Sequence, residues 1–168
     1  MNATSSISAA IVVLVLVLVA FAPSSSIDVQ KSFLTSASPS EAMRVLSDFR
    51  RIPKWNSTVL SVENHFTGQV KEGVRFDEVR KMLSQTSSMS FVVTRAAPTE
   101  LSVHGEESGK QIDFRFRIEP HPNGSRVSLD YGEGQVNAVL AMALRPLYAM
   151  SIAKNMDRLR GMIDRGHE

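Results

Sequence analysis

Hydrophobic positions along this chain repeat with two different periods, and each change of period marks an element. From Ile27 to Phe33 every second residue (Ile27, Val29, Lys31, Phe33) falls on one face, which predicts a first strand. Ser38, Pro39 and Glu41 then form a helix start, with a capping serine, proline at the first position and glutamate three residues after the cap. That helix carries Met43, Val45 and Leu46 and ends near Asp48, and a second helical turn spans Arg50 to Trp55. Beyond Asn56 the period returns to two. Leu60, Val62 and Phe66 mark one strand, Val74 and Phe76 the next, then Met89, Phe91 and Val93, then Leu101 and Val103. The clearest alternation sets Ile112, Phe114, Phe116 and Ile118 against Asp113, Arg115, Arg117 and Glu119. His121-Pro122-Asn123-Gly124 reads as a hairpin turn, after which Val127, Leu129 and Tyr131 close the series. Such a succession of strands joined by short turns predicts an antiparallel meander with one wet and one buried face.

The last stretch changes period again. Between Asn137 and Arg165, Leu140, Leu144, Leu147, Ile152, Met156, Leu159 and Ile163 recur at helical spacing, and Gly166 follows as a stop. At about 1.5 Å per residue this helix is ~40 Å long, enough to cross a small domain. Pro146 predicts a kink in its first third. A long apolar-faced helix needs a partner surface, and the sheet supplies it. The expected fold class is therefore α+β: a curved antiparallel seven-stranded sheet wrapped around a long C-terminal helix, with two short helices after the first strand.

The beginning of the chain has no such pattern. No charged side chain precedes Asp28, and Ala9 to Ala22 is an unbroken apolar run. The run is short for a bilayer span, which needs about 20 residues, but matches the ~7–15-residue core of a secretory signal. Ala20-Phe21-Ala22 has the small-x-small form of a cleavage site, whereas the absence of Lys or Arg before the run and the presence of Pro23 argue against it. Residues 1–26 are thus expected to lie outside the fold as a signal peptide or membrane anchor. The protein is then secreted or membrane-anchored, the alternative being a cytoplasmic location. The folded domain is expected over 27–168. Asn-x-Ser/Thr triplets stand at Asn2, Asn56 and Asn123, of which Asn123, in a turn, is the better glycan acceptor.

Composition removes several chemistries. The absence of Cys excludes disulfides and thiolate catalysis. His65, His104, His121 and His167 show no metal-binding spacing, so neither metal nor cofactor is expected. A net charge of +2 with scattered bases is not a nucleic-acid footprint. No Ser-His-Asp order, phosphate loop or paired-carboxylate motif stands out, so no catalytic residue is assigned.

Residues 37–49, followed by Arg51-Ile52-Pro53-Lys54-Trp55-Asn56, resemble the opening of the START-like or SRPBCC superfamily, and more narrowly its polyketide cyclase/dehydrase and lipid-transport group with the helix-grip, Bet v 1-like fold. Glu72-Gly73-Val74-Arg75-Phe76 and Leu144-Arg145-Pro146-Leu147 extend the resemblance over about residues 27–165. It implies a cavity between sheet and helix for a hydrophobic, lipid- or polyketide-like small molecule. The protein is expected to be a monomer, with membrane association through the apolar run of residues 1–26. The alternative the resemblance implies is a cyclase or dehydratase working in the same cavity, with Arg80, Tyr131 and Glu78 as candidate groups.

Strand alternation nominates the lining: Leu60, Val62, Phe76, Phe91, Phe114, Phe116 and Tyr131 from the sheet, Leu147 and Met150 from the helix, with Met142, Met156 and Met162 adding an adaptable wall. The same alternation sends Glu78 and Arg80 inward behind Phe76. As a pair they either satisfy each other or orient a polar group on a ligand. A bulge or a solvated strand end is the structural alternative. Asn64 shares a face with Leu60 and Val62, and Trp55 is expected to close the end of the core.

Overall fold

The computed structural model describes residues 22–82, 85–107 and 109–166. The apolar run of the N-terminus lies outside the described residues up to position 21. The first strand, β1, takes up the chain at Ser24, ahead of the boundary expected at 27, and runs to Thr35. Helix α1, Pro39–Leu46, begins with the capping arrangement that its sequence dictates: Glu41 N–H donates to Ser38 Oγ (3.4 Å) and Ser38 N–H donates to Glu41 Oε2 (2.8 Å). A 3-10 turn, Phe49–Arg51, and the four-residue helix α2, Ile52–Trp55, complete this connection. Strands β2 (Val59–Asn64), β3 (Arg75–Met82), β4 (Gln85–Ala97), β5 (Glu100–Glu107), β6 (Lys110–His121) and β7 (Gly124–Asn137) follow, then helix α3, Ala138–Arg165.

All seven strands form one sheet in the order β1-β7-β6-β5-β4-β3-β2, antiparallel throughout. The chain therefore starts at one edge, crosses through α1 and α2 to the opposite edge, and meanders back. Ile112, Phe116 and Ile118 are buried and Phe114 half-buried, whereas Asp113, Arg115, Arg117 and Glu119 are exposed, so the register read from alternation is the one adopted. At the β6–β7 hairpin Gly124 has φ +129°, and a Cβ there would stand 2.1 Å from the Thr35 carbonyl oxygen, so only glycine closes this turn.

Two local breaks shape the interior. In β2 the register slips between Val59 and Ser61, so Val59, Val62 and Asn64 face inward opposite Arg80, Glu78 and Phe76 while Leu60 turns out. Near the end of β7 the pairing with β1 shifts at Ser25/Ile27, and Gln135 adopts φ +60°. Asn137 then caps α3 by accepting from the N–H groups of Val139 and Leu140.

Helix α3 runs through Pro146 without interruption and ends, as its sequence indicates, before Gly166. Its second half is buried through Ile152, Asn155, Met156, Leu159 and Ile163. A buried polar knot fixes it there: Asn155 Nδ2 donates to Asn56 Oδ1 (3.2 Å), and Asn155 Oδ1 accepts from Ser57 N–H (3.3 Å). Thr35 donates its hydroxyl to Asp164 at the far end. The first half is held less closely: Ala141 is buried, while Leu144, Tyr148 and Ala149 are only partly so.

Candidate ligand cavity

The interior of the sheet is organised by a continuous line of rings. Phe66 meets Phe49 at 5.9 Å between centroids, Phe49 meets Phe76 at 4.2 Å, and Phe76 stacks on Phe91 at 5.2 Å. Phe91 contacts Phe114 at 6.1 Å, Phe114 contacts Tyr131 at 5.2 Å, and Tyr131 reaches Tyr148 of α3 at 5.9 Å. Each β3, β4, β6 and β7 ring stands on the inward face because its strand alternates with period two. Gly105 makes room for the line: a Cβ at that position would stand 2.4 Å from the Phe91 ring.

Beside these rings lies a cavity of about 30 Å³, bounded by Phe49, Trp55, Phe76, Leu101, Phe114 and Phe116 among others, with Glu78, Arg80 and Asn56 as its polar wall. That volume holds about two water molecules. A wider groove of about 600 Å³ lies beyond α1, between Arg44, Arg50, Arg51, Phe66 and Gln69. It is open, lined by apolar Met43, Val45, Phe66 and Val70 as well as by polar groups, and Asp48 already pairs with Arg50 and Arg51.

Glu78 and Arg80 both point inward, with no bulge between β3 and β4 to divert them. Arg80 Nε donates to Glu78 Oε2 at 2.7 Å. Its Nη2 lies 2.6 Å from the same oxygen but off the N–H axis, so this buried donor has no aligned acceptor among the described residues. The guanidinium also sits over the Phe91 ring at 5.0 Å and the Phe114 ring at 5.6 Å, stabilised by their π faces. Burial pushes the Glu78 carboxyl above its ordinary pKa, and the Arg80 charge offsets this only in part. Tyr131 Oη donates to Glu133 Oε2 at 2.6 Å, and both residues are buried. Burial, and after it Glu133, raises the pKa of both Tyr131 and Tyr148, so both phenols stay protonated and able to donate.

The residues nominated by alternation divide accordingly. Phe76, Glu78, Arg80, Phe114 and Phe116 come together around the cavity, Phe91 and Tyr131 stand behind them in the ring line, and Val62 is half-buried opposite Glu78. Leu60 is 52% exposed and does not line it, because the β2 bulge rotates it outward. Leu147 and Met150 are also exposed, because the first half of α3 turns those side chains away from the sheet. Met142 shares that fate, leaving Met156 buried and Met162 partly buried. The inner wall comes instead from the connection between β1 and β2, through Leu46, Phe49, Ile52 and Trp55. Their helical spacing is visible in the sequence, but nothing in it says that these short helices, rather than the long one, close the cavity. Trp55 both lines the cavity and packs edge-on against Phe116 at 6.2 Å. Asn64 faces inward, yet it borders the outer groove, and its Oδ1 has no donor among the described residues. Asn56 is buried and bonded, whereas Asn123 is exposed at the β6–β7 turn.

Among the described residues no cluster of His, Asp or Glu could hold a metal ion, and no helix is long and apolar enough to cross a membrane.

Residues 26–162 match the family model described as polyketide cyclase / dehydrase and lipid transport. No curated protein matches the sequence. Among solved structures, a START superfamily protein from Mycobacterium smegmatis is similar at TM-score 0.69 and 16% identity, covering 82% of this chain and 97% of that one. The di-domain aromatase/cyclase StfQ of the steffimycin biosynthetic pathway is similar at TM-score 0.68 and 10% identity, covering 83% of this chain; this chain spans 51% of StfQ. A protein from Thermus thermophilus is similar at TM-score 0.64 and 15% identity over 83% of this chain and 95% of its own. At these identities the likeness is one of fold.

Proposed function

The chain belongs to the polyketide cyclase/dehydrase and lipid-transport family, and from that membership we propose that it binds a hydrophobic, lipid- or polyketide-like small molecule between the sheet and its helices. One observation carries this reading further than the fold does: a Glu78–Arg80 ion pair in the wall of the cavity, set among aromatic rings. A guanidinium carries five N–H donors, more than the single Glu78 oxygen it meets can take. A ligand with an apolar body and one carbonyl, carboxylate or hydroxyl oxygen would fill the apolar space and accept from Arg80. The cavity is smaller than any such ligand, so binding requires the wall to move, and the partly buried Leu144, Tyr148 and Ala149 mark the segment with least to lose.

Native mass spectrometry of the purified full-length chain, followed by solvent extraction, tests the reading directly. A retained small molecule, or saturable binding of an environment-sensitive apolar dye competed by fatty acids or polyphenols, is the expected result. Absence of both would sink it.

A second reading, a cyclase or dehydratase using the same space, rests on the Tyr131–Glu133–Tyr148 group, which offers protonated phenols beside a carboxylate. Turnover of an extracted or supplied poly-β-ketone, lost in Tyr131→Phe, would favour it over carriage. We also propose that the protein acts as a monomer, exported or membrane-anchored by residues 1–26. The uncharged apolar run Ala9–Ala22 supports that location.

A further inference from the structure

Helix α3 has two apolar sides in its first half. The inner one carries Ala141, Leu144 and Tyr148; the outer one is open, with Leu140 45%, Met142 75%, Leu147 59% and Met150 70% exposed. Leu140, Ala143, Leu147 and Met150 follow at three- and four-residue steps, so they form one stripe turned away from Ala141, Ile152 and Leu159. Farther along the same stripe the exposed residues are basic: Lys154, Arg158 and Arg165, with Asp157 beside them. On one face of the helix, exposed apolar side chains that acyl chains could receive are thus followed by basic ones that anionic headgroups could meet.

The place where the described chain begins, and the sequence before it, favour one partner. The Pro23 carbonyl accepts from Ala138 N–H at 3.0 Å, and Ser24 pairs with Asn137, so the described chain begins at the foot of α3. Directly before that point stands Ala9–Ala22, apolar at every position, with no charged side chain before Asp28. Were this segment laid along α3, one side would be covered and the rest left in water; a bilayer surrounds all sides. We propose that the outer face of the first half of α3 docks on a lipid bilayer, with residues 9–22 inserted beside it as the tether and Lys154, Arg158 and Arg165 against anionic headgroups. This goes beyond the anchoring reading, on which the tether alone rests. Docking in this pose sets the loosely held half of α3, which covers part of the sheet's interior, against lipid.

The chain has no cysteine, so single-cysteine variants of the full-length protein can each carry one polarity-sensitive fluorophore. Labels at Leu147→Cys, Val15→Cys and, as a control on β4, Ser88→Cys are compared on vesicles of phosphatidylcholine with phosphatidylglycerol. The expected result is a blue shift and quenching by a lipid-borne quencher at 147 and 15, and at neither for 88. Introducing Met142→Asp and Met150→Asp together should lower the lipid-quenched fraction of the 147 label about fivefold or more while leaving the 15 label in lipid. A 147 label that stays open to aqueous iodide while the 15 label is in lipid overturns the docking and keeps the anchor. The reverse result keeps the docking and overturns the tether. A 147 label already shielded without vesicles overturns the proposal, because residues 9–22 or a second copy then cover the face.

Discussion

Arg80 and Glu78, two residues apart on the inner face of β3, bond to each other at 2.7 Å in the middle of an aromatic interior. Glu78 is buried and Arg80 half-buried, so the carboxylate in particular was withdrawn from water at a cost that their attraction only partly offsets. Sheet pairing places Met89 and Val62 beside Glu78, leaving Arg80 as its charged partner there. Removing either member therefore strands the other.

Arg80→Ala should destabilise the fold by about 3 kcal/mol at neutral pH, because Glu78 is then buried alone. The sign of the pH dependence is fixed. Glu78 already has a raised folded pKa, and loss of the guanidinium raises it further. Stability is then full below the ordinary glutamate value near 4.5 and falls as pH rises above it, more steeply than in the wild type. Urea melts between pH 4 and 8 check this, and Arg80→Met with Glu78→Leu should recover most of the loss. Equal stability of Arg80→Ala and wild type at every pH would show that water reaches the carboxyl.

The two tyrosines of the chain, Tyr131 and Tyr148, are both held protonated by burial and by Glu133. Ultraviolet titration should therefore show no phenolate near pH 10 in the folded protein. Both should ionise together as the protein unfolds in alkali. Because the folded pKa values are raised, the stability contribution is complete below about pH 10 and lost above it. A phenolate signal of one tyrosine at pH 10 with the far-ultraviolet circular dichroism intact would show that water reaches that phenol.

Gly105 faces the Phe91 ring with no space for a methyl group. Gly105→Ala must push Phe91 along the ring line toward Phe76 and Phe114, at a cost of about 1–3 kcal/mol. Crowding there should also weaken dye binding. Phe91→Leu in the same protein relieves the clash and should restore most of the stability. Failure of that rescue would place the strain in the backbone instead.

The strands and the α1 cap can be read directly because each is set by neighbours in sequence: Ser38 and Glu41 need only each other, and Phe114 and Phe116 follow from alternation. The misread positions depend on contacts that no local pattern contains. Leu60 obeys the same period as Val62, yet one extra residue in β2 turns it out. Leu147 and Met150 look like core in a helix that is apolar on two sides, and only the sheet's position decides which side is covered. Alternation alone places Glu78 and Arg80 inward, while their mutual bond needs the fold.

The cavity and the outer face of α3 make opposite predictions for two apolar residues that sequence alone groups together. Phe116 bounds the cavity and braces Trp55; Met150 faces outward. Phe116→Ala should cost about 3–5 kcal/mol and enlarge a void that now measures about 30 Å³. A small aromatic probe such as indole should then bind several-fold more tightly, since an enlarged apolar cavity accepts apolar solutes. Met150→Ala should change neither stability by more than about 0.5 kcal/mol nor probe affinity in solution. Isothermal titration of both variants with the same probe decides the matter. Should Met150→Ala alter probe binding as much as Phe116→Ala, the probe is bound on the outside of α3, and the space between sheet and helices is only core.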